Sequence, residues 1–346
     1  MKQYKTLDVF KILSAFLIII IHTSPFASYS KVLTFGFRNI ITIIAVPFFF
    51  ACSGFITFSK LGNMADSKEK DKYILKYLKR IGIMYLIWSA IYFVFVVYKW
   101  IQEPFSYLNI LEYIRDFFFE GSYQTIWFLP ALFSATAIVY LLSKKISTNK
   151  IIFISIPFYC FALLGSSYFG ITKNIAFLSK IFEGYYFVFK TIKNGLLFGF
   201  IYVAIGAWLA SDKEKMKLRP RICLIFIVCS IIFLSAEAVI LNYFNLNERG
   251  CDTIIMLIPM TISIMLFAIN WEIKLSEKFC LVCRKYSLLM FLVQRLPMSI
   301  IDLFMENTII VRNSLIYFLV VFVCTLLLSF IIIELSKKIK IIRYMY

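Results

Sequence analysis

Charged residues and histidine are scarce in this chain. Of its 346 residues only 16% are charged and one, His22, is a histidine, whereas 61% are hydrophobic. Soluble domains carry about 25% charged residues, and disordered chains combine low hydrophobicity with high net charge. The composition therefore excludes both classes and leaves a polytopic membrane protein. No linker rich in Pro, Gly or Ser and no internal repeat divides the chain, so we expect one domain, residues 1–346.

Apolar runs long enough to cross a bilayer recur along the whole chain. They are too long and too apolar on every face for barrel strands, and helices satisfy their own backbone hydrogen bonds in lipid. The sequence thus predicts an all-α polytopic membrane protein with about ten transmembrane helices. The first run resembles a signal peptide in its flanks, but we interpret it as an uncleaved helix. The predicted spans lie at about 7–25, 37–58, 80–98, 126–143, 150–168, 195–211, 221–242, 253–271, 286–305 and 313–334.

Basic residues give the chain a formal net charge of +18. Of the 37 Lys and Arg residues, 25 fall at the N-terminus or after even-numbered predicted spans. Because cytoplasmic loops are enriched in Lys and Arg, this bias predicts that the N and C termini are both cytoplasmic. The alternation from loop to loop also argues against a nucleic-acid partner, which needs its cations on one surface. Membrane lipid is the expected environment.

The eight cysteines are scattered, and Cys280 and Cys283 form a lone CxxC pair. A structural zinc site needs four ligands, and neither a second pair nor a nearby histidine exists. We therefore expect no metal site.

Ionisable residues within spans are costly in hydrocarbon and are functional hypotheses by default. Lys11 and His22 stand eleven residues apart, which places them within ~20° on one helix face and ~16.5 Å apart along the axis. With Asp8 on the same face, that helix offers a cation near the cytoplasm and a titratable base near the outside. In the alternative reading, Lys11 extends to lipid headgroups and His22 caps the helix end. The residues of this kind are Asp8, Lys11, His22, Glu237, Arg295, Asp302 and Glu334.

Glu237 is expected toward the outer side of its span, where a carboxylate needs a partner. It could pair with His22 and fix the imidazole tautomer for general-base catalysis. It could equally form a structural ion pair with Arg295, since charges within membranes usually pair.

Six segments in chain order resemble the acyltransferase-3 family of integral membrane acyltransferases. Its first span carries an Arg followed after ten residues by a His, and Lys11 and His22 stand at these positions. A narrower resemblance, to the branch with the membrane domain of VanT-type serine racemases, implies the cytoplasmic membrane of a bacterium. It rests on His-Thr-Ser-Pro at 22–25, on the Val-Pro-Phe-Phe-Phe run at 46–50, on Glu237 and on 251–259. In those proteins a soluble racemase domain follows, so we expect no racemase activity from residues up to Tyr346. The six segments are 6–25, 45–55, 79–89, 126–131, 193–198 and 287–293.

The resemblance implies an enzyme that moves an acyl group, acetyl in the simplest case, from cytoplasmic acyl-CoA to a hydroxyl of an extracytoplasmic glycan. His22 would be the general base, with Glu237 as its partner in catalysis. The resemblance and the charges together suggest two further groups of residues. Lys11, Lys76, Lys79 and Arg80 would bind the CoA phosphates, and Asn194, Arg295, Trp127 and Asp252 would bind the acceptor.

Several positions depart from the family pattern. Lys11 replaces Arg and loses its bidentate hydrogen bonding, while Thr125, Cys251 and Gln294 stand where relatives often carry His. These departures keep a second hypothesis open, a VanT-like domain that transports a small amino acid such as L-serine without acyl transfer. The paired Gly/Pro breaks of discontinuous transporter helices are missing, however. A third possibility is a remnant with neither activity.

Overall fold

The structure, a computed structural model, describes residues 4–102, 104, 106–212, 216–304 and 312–346. Every regular element within those ranges is a helix, which confirms the predicted all-α class. Short π- and 3₁₀-helical turns at 37–44 and 195–199 lead directly into α3 and α10. In chain order the α-helices are α1 (Lys5–Thr23), α2 (Lys31–Gly36), α3 (Ala45–Gly62), α4 (Ser67–Gln102), α5 (Tyr107–Phe119), α6 (Phe128–Ser143), α7 (Thr148–Gly165), α8 (Phe169–Thr172), α9 (Ala176–Val188), α10 (Phe200–Ser211), α11 (Pro220–Tyr243), α12 (Leu257–Asn270), α13 (Glu277–Val293), α14 (Arg295–Phe304) and α15 (Leu315–Lys338).

Seven helical stretches in the described ranges are long and apolar enough to cross a membrane. The other three predicted spans, 126–143, 195–211 and 253–271, correspond to shorter apolar helices. The chain is thus a helical membrane protein, while the count of ten spans and the side of each terminus stay predictions. The seven stretches are Lys5–Thr23, Lys31–Gly62, Ser67–Gln102, Thr148–Gly165, Pro220–Tyr243, Glu277–Phe304 and Leu315–Lys338.

Helices α3 and α10 pack backbone to backbone at the centre of the bundle. A Cβ atom added to Gly54 would lie 2.5 Å from the Val203 carbonyl oxygen, and one added to Gly206 would lie 2.1 Å from that of Ala51. Only glycine permits this approach, and small residues are how membrane helices come close in the absence of a hydrophobic driving force.

Helix α1 runs through the interior and packs mainly against α13 and α3. Ala15 and Ile19 are fully buried on it, while Leu13 on the opposite side is half exposed. The Lys5 ammonium donates to the Leu275 carbonyl just before α13, at 2.6 Å. Because the helix is held along its length, Lys11 and His22 have fixed positions near its two ends.

Two interruptions of helical structure lie close to His22. Helix α1 ends at Ser24, which adopts a left-handed conformation (φ 43°) and donates its N–H to the Ile20 carbonyl. Helices α13 and α14 are separated at Gln294, three residues before Pro297. Proline has no N–H for the carbonyl four residues earlier, so a break at this point is expected. Both breaks place polar groups beside the end of α1 that carries His22.

Candidate functional site

The cytoplasmic-side predictions converge on one cavity. This inner cavity has a volume of about 1250 Å³, and all four cations predicted to bind CoA line it. Asp8 is the one carboxylate among its described lining residues. Its eight cationic side chains are Lys11, Lys60, Lys76, Lys79, Arg80, Lys217, Arg284 and Arg343.

The buried Asp8 organises two of those cations. Arg284 binds its carboxylate through two hydrogen bonds, Nε to Oδ1 at 3.1 Å and Nη2 to Oδ2 at 2.7 Å. Lys11 Nζ lies 3.5 Å from Oδ1. A two-point Arg–carboxylate pair fixes the direction of the guanidinium. In the sequence, Arg284 is only one of the 25 basic residues that predict the cytoplasmic side, and its pairing with Asp8 was not predicted. A carboxylate within a span nevertheless requires some partner.

Aromatic rings complete the wall of the inner cavity. Tyr4 packs edge-on against Phe55 with 5.0 Å between ring centroids, and the Lys60 ammonium lies 5.8 Å from the centroid of Tyr73. Tyr77 also lines the cavity. Cations bind phosphate oxygens and flat rings pack against planar groups, so this cavity has the chemistry to hold a phosphorylated ligand with a planar part.

A second, smaller cavity lies at the other end of α1. This outer cavity has a volume of about 500 Å³ and is lined by His22, Trp127 and Lys193 together with polar residues of the α4–α6 region. Gly121, at φ +91°, comes so close to Trp127 that a Cβ atom would lie 2.4 Å from its Cα. The glycine therefore permits the tight loop that brings Trp127 to the cavity.

Three charged groups lie close enough to His22 to act on it electrostatically: Arg295, Lys193 and Asp252. Lys193 Nζ is 2.7 Å from Asp252 Oδ2, and both side chains are partly exposed. Of the three, only Lys193, for which no role was predicted, is among the residues that line the outer cavity. Arg295 and Asp252, both predicted for the acceptor site, act on His22 through their charges but are not among those lining residues.

Glu237 has other partners than either pairing predicted for it. One carboxylate oxygen accepts the Tyr168 hydroxyl at 2.5 Å and the Ile255 N–H at 2.7 Å, and the other accepts the Met256 N–H at 2.7 Å. A carboxylate is favourable at the N-terminus of a helix, here α12. Both oxygens of Glu237 are used there. The predicted pairing of Glu237 with His22 or Arg295 is therefore wrong, and the contacts that it makes are structural ones.

Asn194 also serves the backbone. Its Oδ1 accepts the N–H groups of Leu196 and Leu197 at 3.0 and 2.8 Å, which is the geometry of a helix N-cap. Its Nδ2 lies 3.4 Å from the Tyr185 hydroxyl. The amide oxygen is thus occupied by the start of the helix at 195, and the contact of Asn194 with a substrate stays a prediction.

Two acidic residues predicted within spans form local ion pairs. Asp302 accepts from Arg312, and Glu334 pairs with Lys337 one turn later. Both pairs are partly exposed, and neither reaches the cavities.

Helix α5 covers one side of the outer cavity. The Lys190 ammonium donates to Glu112 and Asp116 on α5, at 2.8 and 2.9 Å. Glu120, just after the helix, accepts the N–H groups of Lys190 and Thr191. Burial raises the pKa of the Glu120 carboxyl, whereas the hydrogen bond from Lys190 lowers the pKa of Glu112. Residues 107–119 lie between the predicted spans 80–98 and 126–143, and the sequence gave no sign of this cover.

A series of aromatic ring contacts joins the neighbourhoods of the two cavities. It runs from Phe10, next to Lys11, to Trp127 at the outer cavity. The centroids of successive rings are 4.6–6.5 Å apart. In order the rings are Phe10, Phe48, Phe49, Phe128, Phe50 and Trp127.

These features define a helical membrane protein with a cationic cavity and a histidine-containing cavity at opposite ends of one helix. The family model described as "Acyltransferase domain" matches residues 4–334. The chain belongs to the acyltransferase-3 family.

The relatives found in the comparison carry racemase names. An amino-acid racemase of Enterococcus faecalis is 27% identical over 97% of this chain and 47% of its own length. A serine/alanine racemase of Enterococcus gallinarum is 22% identical over 96% of this chain and 46% of its own length. The chain thus spans about half the length of these curated relatives, in agreement with the resemblance to the VanT-type branch. No solved structure matches the chain.

Proposed function

We propose that this domain is an acyltransferase that takes an acyl group, acetyl in the simplest case, from acyl-CoA on the cytoplasmic side of a bacterial cytoplasmic membrane. The acceptor is a hydroxyl of a cell-wall or surface glycan on the other side. One observation carries the proposal: Lys11, Lys76, Lys79 and Arg80 line a single cavity of about 1250 Å³ at the end of α1 opposite His22.

The inner cavity supplies what a CoA donor needs. Its eight cations face one carboxylate among the described lining residues, so most of the positive charge is uncompensated. A polyanion therefore gains favourable interactions on entering the cavity. Asp8 directs Arg284 and Lys11, and the tyrosines offer flat surfaces to a nucleobase.

The outer cavity supplies the base. A neutral imidazole at His22 accepts the proton of an acceptor hydroxyl as its oxygen attacks the thioester carbon. Trp127 gives the sugar ring an aromatic surface, and Lys193, which is held by Asp252, presents its ammonium to the sugar hydroxyl groups. The acyl-pantetheine arm passes the aromatic rings between the cavities, chiefly Phe49 and Phe128.

The direct test is thermal stability with ligands, because a ligand that binds the native state raises its melting temperature. We expect coenzyme A to stabilise the purified chain, and acetyl-CoA to be consumed when a glycan acceptor is added. A chain that coenzyme A leaves unchanged, at concentrations up to the millimolar range, contradicts the proposal.

The second candidate function is transport of a small amino acid such as L-serine. It is favoured by the relatives' names, amino-acid racemase and serine/alanine racemase, and by the mixed charges around the outer cavity. Proteoliposomes should then accumulate labelled L-serine without any CoA thioester. A flat uptake trace removes this candidate.

A further inference from the structure

The chain turns back onto the bundle after α15. A short 3₁₀-helix, Lys340–Met345, follows α15 after a single extended residue. This C-terminal segment, residues 339–346, lies beyond the residues that the family model matches, 4–334. Arg343 and Tyr344 nevertheless line the inner cavity. The wall of that cavity therefore includes two side chains from outside the matched part of the chain.

Buried partners hold the C-terminal segment in place. The indole N–H of Trp88, which is fully buried on α4, donates to the Met345 carbonyl at 3.0 Å. The hydroxyl groups of Tyr346 and the buried Ser336 lie 2.7 Å apart, so one donates to the other. Met345 and Tyr346 also pack against the main hydrophobic core. Because the segment is anchored at its last two residues and joined to α15 at its first, the side chains between them have defined positions.

One nitrogen of the Arg343 guanidinium is bonded to the protein, and two are available. Its Nε donates to the Ser336 carbonyl at 3.0 Å, which directs the planar group. Within the described part of the chain, Nη1 and Nη2 make no hydrogen bond or ion pair. Arg284, in contrast, uses Nε and Nη2 to bind Asp8. A guanidinium binds two oxygens of a phosphate through two parallel N–H groups, so Arg343 has the geometry for a phosphate in the inner cavity.

Tyr344 adds an aromatic ring next to Arg343 in the chain. It is 50% exposed, and its ring contacts no other ring and no cation among the described residues. Two other tyrosines of the inner cavity are already engaged, since Tyr4 packs against Phe55 and Tyr73 faces the Lys60 ammonium. Aromatic side chains stack on nucleobases because every base has a π-face. The ring of Tyr344 is thus available to a planar base whose phosphate lies nearby.

We propose that the C-terminal segment binds the nucleotide part of the ligand in the inner cavity. The Nη groups of Arg343 bind a phosphate, and the ring of Tyr344 packs against the purine base. The inference rests on the proposed function where the ligand is coenzyme A, but the chemistry that it requires is that of any adenine nucleotide with free phosphates. If instead the segment only covers Trp88 and α4, its two cavity-facing side chains contribute nothing to binding.

Three probes separate the two contacts: coenzyme A, adenosine 3′,5′-bisphosphate and inorganic pyrophosphate, each titrated by calorimetry into the purified chain in detergent. Arg343→Gln removes a charge-assisted contact with phosphate, so the Kd for all three probes should rise about tenfold. Tyr344→Ala removes the stacking surface, so the Kd for the two probes that carry adenine should rise by about fivefold or more. The Kd for pyrophosphate, which has no base, should stay within about twofold of the wild-type value in Tyr344→Ala.

Two control variants match these changes. Tyr344→Phe keeps the ring and should bind all three probes as the wild type does. Arg221→Gln removes the same charge at an exposed position at the start of α11, outside the inner cavity, and should also bind normally. Because the side chains of Arg343, Tyr344 and Arg221 are all exposed, the melting temperature of each variant without ligand should equal that of the wild type.

The outcomes separate the C-terminal segment from the proposed function. If Arg343→Gln and Tyr344→Ala bind coenzyme A within about twofold of the wild type, the segment is only structural and the inference is wrong, while the proposed function stands. If the wild type binds the bisphosphate but not coenzyme A, and both variants weaken that binding, the segment holds a nucleotide and the acyltransferase proposal falls. An equal loss of binding in Arg221→Gln, or no binding of any probe to the wild type, overturns the inference.

Discussion

The two cavities at the ends of α1 differ in how their charges are balanced. The inner cavity gathers eight cations around Asp8, whereas at the outer cavity Lys190 is paired with Glu112 and Asp116, and Lys193 with Asp252. An uncompensated cationic surface attracts a polyanion, while balanced charges orient a small polar group without a large net attraction. The inner cavity is thus suited to tight binding of a polyanion, and the outer cavity is suited to positioning a small polar group.

The variant His22→Ala tests most directly whether the two cavities have separate roles. General-base catalysis contributes about 10²–10⁴-fold to rate, so acyl transfer should fall by that factor. Coenzyme A should bind as before, because its cavity lies at the other end of α1. Rates of acetyl transfer and melting curves with coenzyme A check both statements. Unchanged transfer would show that the outer cavity does not contain the base.

The ion pairs of the two regions should differ in stability. Arg284→Gln leaves the buried Asp8 carboxylate with Lys11 alone. We expect a cost of about 2 kcal/mol, below the ~3–5 kcal/mol for a fully buried pair because about half of the Arg284 side chain is exposed. Lys193→Gln breaks a partly exposed pair and should cost less than about 1 kcal/mol. Unfolding in mixed micelles measures the difference, and equal costs would remove the contrast.

The affinity for coenzyme A should depend only on the cations that line the inner cavity. Arg80→Ala removes one charge-assisted contact with phosphate, so the Kd for coenzyme A should rise about tenfold. Lys150→Ala, a lysine outside the inner cavity, serves as the control and should bind normally. Titration calorimetry in detergent gives both values. A similar loss in both variants would indicate a diffuse effect of net charge instead of a defined site.

The smallest effect concerns the cover of the outer cavity. Since the hydrogen bond from Lys190 lowers the pKa of Glu112, this pair stabilises the fold above the ordinary pKa of about 4.3. Its contribution is lost as pH falls through the lower folded value. The melting-temperature difference between wild type and Glu112→Gln should stay constant from pH 7 to 5 and vanish toward pH 3. A difference that grows on acidification contradicts the assignment.

The helices and charged residues that could be predicted are those that depend on the hydropathy and charge of a single segment. Each of the ten predicted spans overlaps a helix, because an apolar run in lipid has few alternatives to helical structure. The stripe from Lys11 to His22 followed from helix geometry alone. The inner cations were predictable as a group because the positive-inside bias and the family motif select the same residues.

The hydrogen-bond partners of individual polar side chains could not be predicted from the sequence. Glu237 looked like a partner for His22 or Arg295, yet it binds Tyr168 and the start of α12. A carboxylate in a span needs hydrogen-bond donors, and sequence spacing does not reveal which donors a neighbouring helix brings to the same depth. The role of Asn194 as the N-cap of the helix at 195 escaped prediction for the same reason, since its amide oxygen accepts backbone N–H groups two and three residues later.

The sequence by itself determined the class of protein, the helices and four of the eight cations of the inner cavity, because hydropathy and charge act through single segments. Only the tertiary structure decided that Arg284 directs Asp8 and that Lys190 joins α5 to the rest of the bundle. Those contacts join residues that are 276 and 74 positions apart. Pairings across such distances depend on how helices pack.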